Sequence, residues 1–179
     1  MKRIVVTSLL LFCMVLPASL MARDKKPSVD MSNMNRIFLG WIDLDPDALS
    51  LYGHSNGDAS SKADWIDVDR SLNSIFQRNC QSKYLPGRTI TAAKDRGDES
   101  AAGNDLYVKF TDVSVDIDKY RLSLSIHFID PTTNSEIASI PLRKYSERAC
   151  NFLDCLRGEL SQVGSDLQEK LRTDRKRNK

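Results

Sequence analysis

The sequence predicts an α+β fold, in which a mixed, largely antiparallel sheet of about five strands carries two amphipathic helices on one face. Two stretches, at about 62–83 and 146–172, have apolar residues at helical spacing. Between them, apolar and polar residues alternate over 105–116 and 120–130, as in strands with one buried face. The resulting order of elements, β-α-β-β-β-β-α, is typical of a sheet whose helices gather on one side.

The first strand is predicted over Arg36–Leu44. It is apolar at both alternating positions, which is typical of a central strand with both faces covered. Pro46 ends it, and a loop rich in turn residues follows. The first helix is predicted over Lys62–Lys83, and Pro86 with the glycine after it is the stop signal. Its apolar face consists of Trp65, Val68, Leu72, Ile75, Phe76 and Cys80.

Four further strands are predicted after this helix, at Arg88–Lys94, Asp105–Asp116, Tyr120–Asp130 and Glu136–Tyr145. In the second of these, Val113 and Val115 continue the alternation only after a bulge or a shift. The third has one apolar and one polar face, so one side of the sheet should face water or a partner. Pro141 lacks a backbone donor, which predicts that the last strand lies at the sheet edge or is kinked there.

The last helix is predicted over Ser146–Arg172. Cys155 and Asp166 lie off its apolar stripe, which consists of Ala149, Leu153, Leu156, Leu160, Val163, Leu167 and Leu171. The basic residues at 173–179 have no aromatic residues between them, so we expect a disordered solvated tail rather than a nucleic-acid-binding segment.

The first 22 residues are typical of a secretory signal peptide. Lys2 and Arg3 begin it, an apolar run follows, and it ends at the small residue Ala22. The apolar run is shorter than the roughly 20 residues that a membrane span needs. We therefore expect cleavage rather than an uncleaved anchor. A third alternative, acylation of Cys13, is disfavoured because Phe12 stands where lipoproteins carry a small residue.

These features predict an exported protein, periplasmic or extracellular, with a flexible lead-in at 23–34, a single domain at 35–172 and the tail at 173–179. The leader holds two of the 26 basic residues and no acidic one. The remaining 157 residues therefore carry 24 basic and 24 acidic side chains. This balance gives no indication of nucleic acid as a partner.

Three cysteines remain after removal of the leader, so at most one disulfide can form among Cys80, Cys150 and Cys155. On a continuous helix, residues five apart lie about 140° apart around the axis. Cys150 and Cys155 can therefore pair only if Cys150 precedes the helix. A bridge from Cys80 to either of them, and idle buried thiols, are the alternatives.

The strand Asp105–Phe110 and the hairpin Leu122–Ile140, with its turn at Asp130–Asn134, form a recognisable sequence pattern. Together with the element order and the export signal, this pattern resembles a family of bacterial envelope domains. The family contains the amino-terminal domain of periplasmic TolB and the related domain of the curli-assembly lipoprotein. The resemblance covers about residues 35–172, and it implies a small envelope domain that acts through protein contacts.

The sequence offers few residues for catalysis or metal binding. Its two histidines, His54 in a loop and His127 on a polar strand face, have no Cys or His close in sequence, so no zinc site and no triad are predicted. Asp43 begins a run that resembles a calcium loop, but Ala48 stands where that loop needs glycine. We expect no cofactor. The alternative is a small secreted enzyme or ligand-binding module that uses His54 or His127 with nearby carboxylates.

Aromatic residues outside the predicted core form the candidate partner-binding surface, which consists of Trp41, Tyr52, Tyr107 and Tyr120. The predicted function is that of a non-enzymatic protein-binding or envelope-assembly module. Its expected partner is another envelope protein, and we expect no membrane span after signal cleavage.

Overall fold

A computed structural model describes residues 30–45, 49, 62–147 and 151–177. The described part contains five strands and two α-helices, and it confirms the predicted α+β class. In chain order they are β1 (Arg36–Leu39), α1 (Lys62–Asn79), β2 (Thr89–Ala92), β3 (Leu106–Asp116), β4 (Arg121–Asp130), β5 (Ser135–Ser146) and α2 (Phe152–Arg177). Neither of these helices combines the length and the apolar character that a membrane crossing needs.

The five strands form one sheet in the order β2-β1-β3-β4-β5. β1 is parallel to both of its neighbours, with Ile37 opposite Ile90 of β2 on one side and Leu106 of β3 on the other. β3, β4 and β5 continue the sheet as antiparallel strands. After β1 the chain therefore passes through α1 to β2 at one side, and then returns to β3 at the other side.

β1 ends at Leu39, five residues before the predicted end at Leu44, because side chains of α1 bind the main chain beyond it. The N–H of Ile42 donates to Oδ1 of Asn73 (3.0 Å), and the N–H of Leu44 donates to Oδ1 of Asp69 (3.4 Å). Ile42 and Leu44 are fully buried, as their apolar character predicts. The segment after β1 is thus part of the core but not of the sheet.

The predicted helix at Lys62–Lys83 is divided into α1 and a π-helical turn at Cys80–Tyr84. This turn brings the ring of Tyr84 against α2 at Gly164, where a Cβ atom would lie 2.4 Å from two ring carbons. The hydroxyl of Tyr84 forms a hydrogen bond with that of Ser161. Tyr84 is therefore a contact between the two helical segments, and only glycine fits opposite it.

The main hydrophobic core lies between one face of the sheet and the two helices. It includes Met31, which is fully buried. A 3-10 turn at Met31–Asn33 holds this residue, and Asp30 caps the turn by accepting the N–H of Ser32 (2.8 Å). The folded domain consequently begins before residue 35, which corrects the predicted lead-in at its carboxyl end.

The strands of the antiparallel half carry the two irregularities that the sequence predicts. The register of β3 against β4 shifts between Thr111 and Ser114, and Val115 then lies opposite Leu122. β5, which contains Pro141, is an edge strand of the sheet.

α2 begins at Phe152 rather than at Ser146, since Ser146 still belongs to β5. Asn151 caps the helix, because its Oδ1 accepts the N–H of Asp154 (3.0 Å). At the other end, α2 continues to Arg177. Five residues of the predicted disordered tail are therefore helical.

The second face of the sheet has two unlike halves. Over the parallel half, a small cluster of Phe38, Ala93, Ala101 and Tyr107 is buried. Over the antiparallel half, neither described helix covers this face. We call this half the open face, and strand register and alternation assign to it Lys109, Thr111, Ser123, His127, Ser139, Leu142 and Lys144.

Candidate functional site

A cleft of about 430 Å³ lies beyond the carboxyl end of β1. The strands next to β1 are parallel to it and lie on opposite sides, which makes this point a topological switch, the usual place for ligands in α/β sheets. The cleft is lined by Asp43 and Asp45 after β1, by Arg96 after β2, and by 110–113 of β3. We call it the switch-point cleft.

Asp69 of α1 is the buried carboxylate behind this cleft, with 3% of its side chain exposed. Its Oδ2 accepts a hydrogen bond from Nε1 of Trp41 (3.1 Å). A guanidinium nitrogen of Arg96 lies 3.6 Å from the same oxygen and 2.6 Å from Oδ1 of Asp43. Asp69 and Arg96 therefore join the helix to the two segments that line the cleft.

Asn73, one turn further along α1, completes the buried network. Its amide nitrogen donates to the carbonyl of Ile42 (2.9 Å) and to Oδ1 of Asp69 (3.1 Å). Burial raises the pKa of Asp69 above its ordinary value, while the hydrogen bond from Trp41 and the charge of Arg96 oppose that rise. A carboxylate with this many donors positions its neighbours and is poorly placed to abstract a proton.

The switch-point cleft offers oxygen atoms to a polar ligand but does not gather them around one point. Among the described residues, no group of three or more His, Cys, Asp or Glu can hold a metal ion. Asp45 and Asp112 adopt positive φ angles of 51° and 53°, which non-glycine residues rarely do. Both sides of the cleft thus have a main chain held in an unusual conformation by the surrounding fold.

A chain of hydrogen bonds crosses the open face beside the cleft. Oγ1 of Thr111 lies 2.9 Å from Nε2 of His127, whose Nδ1 lies 2.7 Å from Oε2 of Glu136. Hydroxyl, imidazole and carboxylate follow in the order of a nucleophilic triad. Thr111 also donates to Asp112 (3.1 Å), and its single proton cannot serve both acceptors at once. The switch-point cleft is lined by Thr111 but not by His127.

The structure does not bring the predicted aromatic residues into one surface. Trp41 is half-buried beside the Phe38 cluster, and Tyr107 is only 7% exposed within it. Burial and a nearby glutamate raise the pKa of Tyr107 to about 12. Tyr120, 37% exposed, lies between β3 and β4 at the far end of the sheet. Tyr52 and His54 lie outside the described residues.

Cys155 is disulfide-bonded, and its sulfur lies 3.7 Å from the carbonyl oxygen of Glu147. Cys80 is a free, fully buried thiol, and burial raises its pKa to about 12. The alternatives that pair Cys80 are thereby excluded. Cys150 lies outside the described residues. It precedes the helix that begins at Phe152, which is the condition for its pairing with Cys155.

Sequence reasoning did not single out Arg96, Thr111, Glu136 or Asn73. Arg96 stands in a polar loop, and the other side chains join their partners through strand register or helix contact. One usable signal exists: Asp69 and Asn73 are four residues apart on the helix, so they form a polar pair on one side of it.

No protein-family model and no curated protein matches the chain. Two solved structures of PelC from Paraburkholderia phytofirmans, both described as dodecamers, are similar to it. One is 13% identical, covers 79% of this chain and 91% of that chain, and has a TM-score of 0.39. The other, a single-substitution variant, is 12% identical, covers 75% and 89%, and has a TM-score of 0.38. At these values the likeness is one of coarse outline, and the resemblance to the TolB family stays a prediction.

Proposed function

We propose that this chain is an exported, non-enzymatic domain that binds another envelope protein through its open face and the adjoining switch-point cleft. The observation that carries the proposal is the unequal covering of the sheet. The two helices pack on one face of the sheet, while three strands of the other face have no described helix over them. Their small hydroxyl and charged side chains allow a partner to approach the strands closely and to form hydrogen bonds.

Two independent features support export. The first 22 residues have the basic, apolar and small-residue order of a signal peptide. Cys155 is in a disulfide, and disulfides persist mainly in oxidising compartments outside the cytoplasm.

The side chains around the cleft favour binding over catalysis. Asp69, the buried acid, already accepts hydrogen bonds from Trp41 and from the main chain at Leu44. His127 lies on a strand surface between Thr111 and Glu136, outside the lining of the cleft. An enzyme of small molecules would hold its base inside a concave pocket.

Site-specific photo-cross-linking in the native envelope tests this proposal. A photoreactive residue is placed at Ser139, which is exposed on the open face, or at Ser74, which is exposed on α1. We expect a discrete protein adduct from position 139 and none from position 74. The variant Ser139→Arg should abolish adducts formed from a reporter at Ser123. Equal adducts from both faces, or none from the open face, would refute the proposal.

A second candidate function, ester hydrolysis, is favoured by the order of Thr111, His127 and Glu136. In that reaction the Thr111 oxygen would bond to the ester carbonyl carbon, His127 would take the hydroxyl proton, and the alcohol would leave with that proton. Water would then hydrolyse the acyl-threonine and release the acid.

Turnover of p-nitrophenyl acetate by the purified protein tests this candidate. If the triad operates, Thr111→Ala and His127→Ala each lower the rate by roughly a hundredfold or more. Ser123→Ala, on the same face, is the matched control. Rates that the three substitutions leave unchanged would remove hydrolysis from consideration.

A further inference from the structure

Glu159 is a buried acid on α2, the helix that packs on the face of the sheet opposite the open face. It is 1% exposed and accepts backbone hydrogen bonds from Leu122 of β4 and from Glu147. Among the residues that the structure describes, its buried Oε1 has no hydrogen-bond partner. An ionised carboxylate in this position lacks much of the solvation that it has in water.

Glu147, the residue directly after β5, is bound by three residues of α2. Its backbone N–H donates a hydrogen bond to the carboxyl group of Glu159. Its carbonyl oxygen lies 3.7 Å from the sulfur of Cys155. Its Oε2 accepts a hydrogen bond from Gln162 (3.0 Å). We call Glu147, Cys155, Glu159 and Gln162 the β5–α2 clasp. It holds the residue after the edge strand against the last helix, and it includes the disulfide-bonded sulfur of Cys155.

Within the described part of the chain, the charges that act on Glu159 come from two elements. Glu147 disfavours its ionised form, and Arg121 of β4 favours it. On the exposed side of α2, Asp154 and Arg157 pair with each other (2.8 Å). Burial is the largest influence, and it raises the pKa of Glu159 from 4.5 to about 7.

We propose that the β5–α2 clasp is a pH-responsive joint, closed when Glu159 is protonated and opened more readily when Glu159 is ionised. Opening frees the backbone amides of Leu122 and Glu147 and brings the sulfur of Cys155, a residue that is 1% exposed in the closed joint, into contact with solvent. The proposal does not depend on the partner-binding role.

The sign and size of the effect follow from linkage between protonation and opening. If Glu159 has its ordinary pKa of 4.5 in the open form, the equilibrium constant for opening does not change with pH below 4.5. It rises about tenfold per pH unit between 4.5 and 7, and it is constant again above that range. Acid therefore holds the joint shut, and neutral solution loosens it.

Amide hydrogen exchange at pH 5 and pH 7, corrected for intrinsic rates, tests the proposal. The amide of Glu147 should exchange faster than the slowest amides of β1 and β3, because the joint opens without global unfolding. Its opening should increase by more than tenfold between the two pH values. In Glu159→Gln that increase should vanish, while the exposed control Glu169→Gln on the same helix should keep it.

Glu147→Gln provides a second variant, which removes the facing like charge and leaves Glu159 in place. It should lower the opening at pH 7. Reduction of the disulfide by a phosphine, compared between wild type and Glu159→Gln at each pH, gives a second readout. The proposal is overturned if Glu159→Gln keeps the wild-type pH dependence, or if Glu147 exchanges only as slowly as the central strands.

Discussion

The contact between Tyr84 and Gly164 predicts that Gly164→Ala destabilises the wild-type protein but stabilises a variant that lacks the Tyr84 ring. In an exposed helix, Gly→Ala stabilises by about 1 kcal/mol. At Gly164, however, the new Cβ would lie 2.4 Å from Cδ2 and Cε2 of Tyr84, whereas carbon atoms in contact prefer about 3.5–4.0 Å. Tyr84 is only 3% exposed, so its ring has little room to move.

Overpacking of this kind typically costs about 1–3 kcal/mol, which exceeds or cancels the helical gain. We therefore expect Gly164→Ala to lower the free energy of unfolding by up to about 2 kcal/mol. In a Tyr84→Ala background the obstacle is absent, and the same substitution should raise that free energy by up to about 1 kcal/mol. The coupling between the two positions then equals the overpacking cost, about 1–3 kcal/mol.

Urea unfolding of the four proteins of this cycle, with the disulfide intact, measures both terms. Gly158→Ala on the same helix is the matched control. Its Cβ would approach only the side chain of Glu147, at 3.1 Å, and this side chain is exposed and has room to shift, so the substitution should be neutral or stabilising. If Gly164→Ala stabilises the wild type, or has the same sign in both backgrounds, the assigned packing of Tyr84 on α2 is wrong.

Three further predictions concern other contacts. Asn73→Ala should lower the free energy of unfolding in urea by about 2–4 kcal/mol, since it leaves buried main-chain groups unpaired, whereas the exposed Ser74→Ala should change it by less than about 0.5 kcal/mol. Arg36 holds the pKa of Asp105 below 3.8, a stabilisation present above that pH and lost as the pH falls through the lowered value. Arg36→Gln should therefore lower the melting temperature at pH 6, with a difference that shrinks below pH 3.8. In the mature chain, the buried thiol of Cys80 should resist a thiol reagent at pH 8. In denaturant without reductant it should be the single thiol that reacts, because Cys155 is disulfide-bonded, and a count of two or three thiols would contradict the disulfide.

The spacing of apolar residues predicts most of the fold, because each helix and strand must bury one face and its own sequence shows which. The alternation over Tyr120–Asp130 requires one apolar face, and Pro141 requires an edge. The errors occur where a distant side chain competes with the local pattern. Leu44 is apolar like a strand residue, but Asp69 of α1 binds its N–H and takes it out of the sheet.

The candidate site was less predictable for the same reason. The chain from Thr111 through His127 to Glu136 crosses three strands, so it depends on a strand register that no single stretch of sequence contains. The switch-point cleft depends on β2 and β3 lying on opposite sides of β1. That order is set by how the whole sheet assembles, whereas the prediction of a signal peptide depends on consecutive residues alone.

The two edges of the sheet indicate how a partner can approach. β2 is only four residues long, and β5 is interrupted by Pro141, which has no N–H to donate to an added strand. Lys144 adds a charge further along the same edge. A partner strand could therefore pair with only four residues at β2, and at β5 it would lack the hydrogen bond that Pro141 cannot donate.

The open face has neither restriction. Leu142, which is 54% exposed beside Pro141, provides an apolar contact at the margin of this face. Replacing Leu142 with serine should therefore weaken partner binding more than Pro141→Ala, and the reverse order would indicate that the partner pairs with the edge.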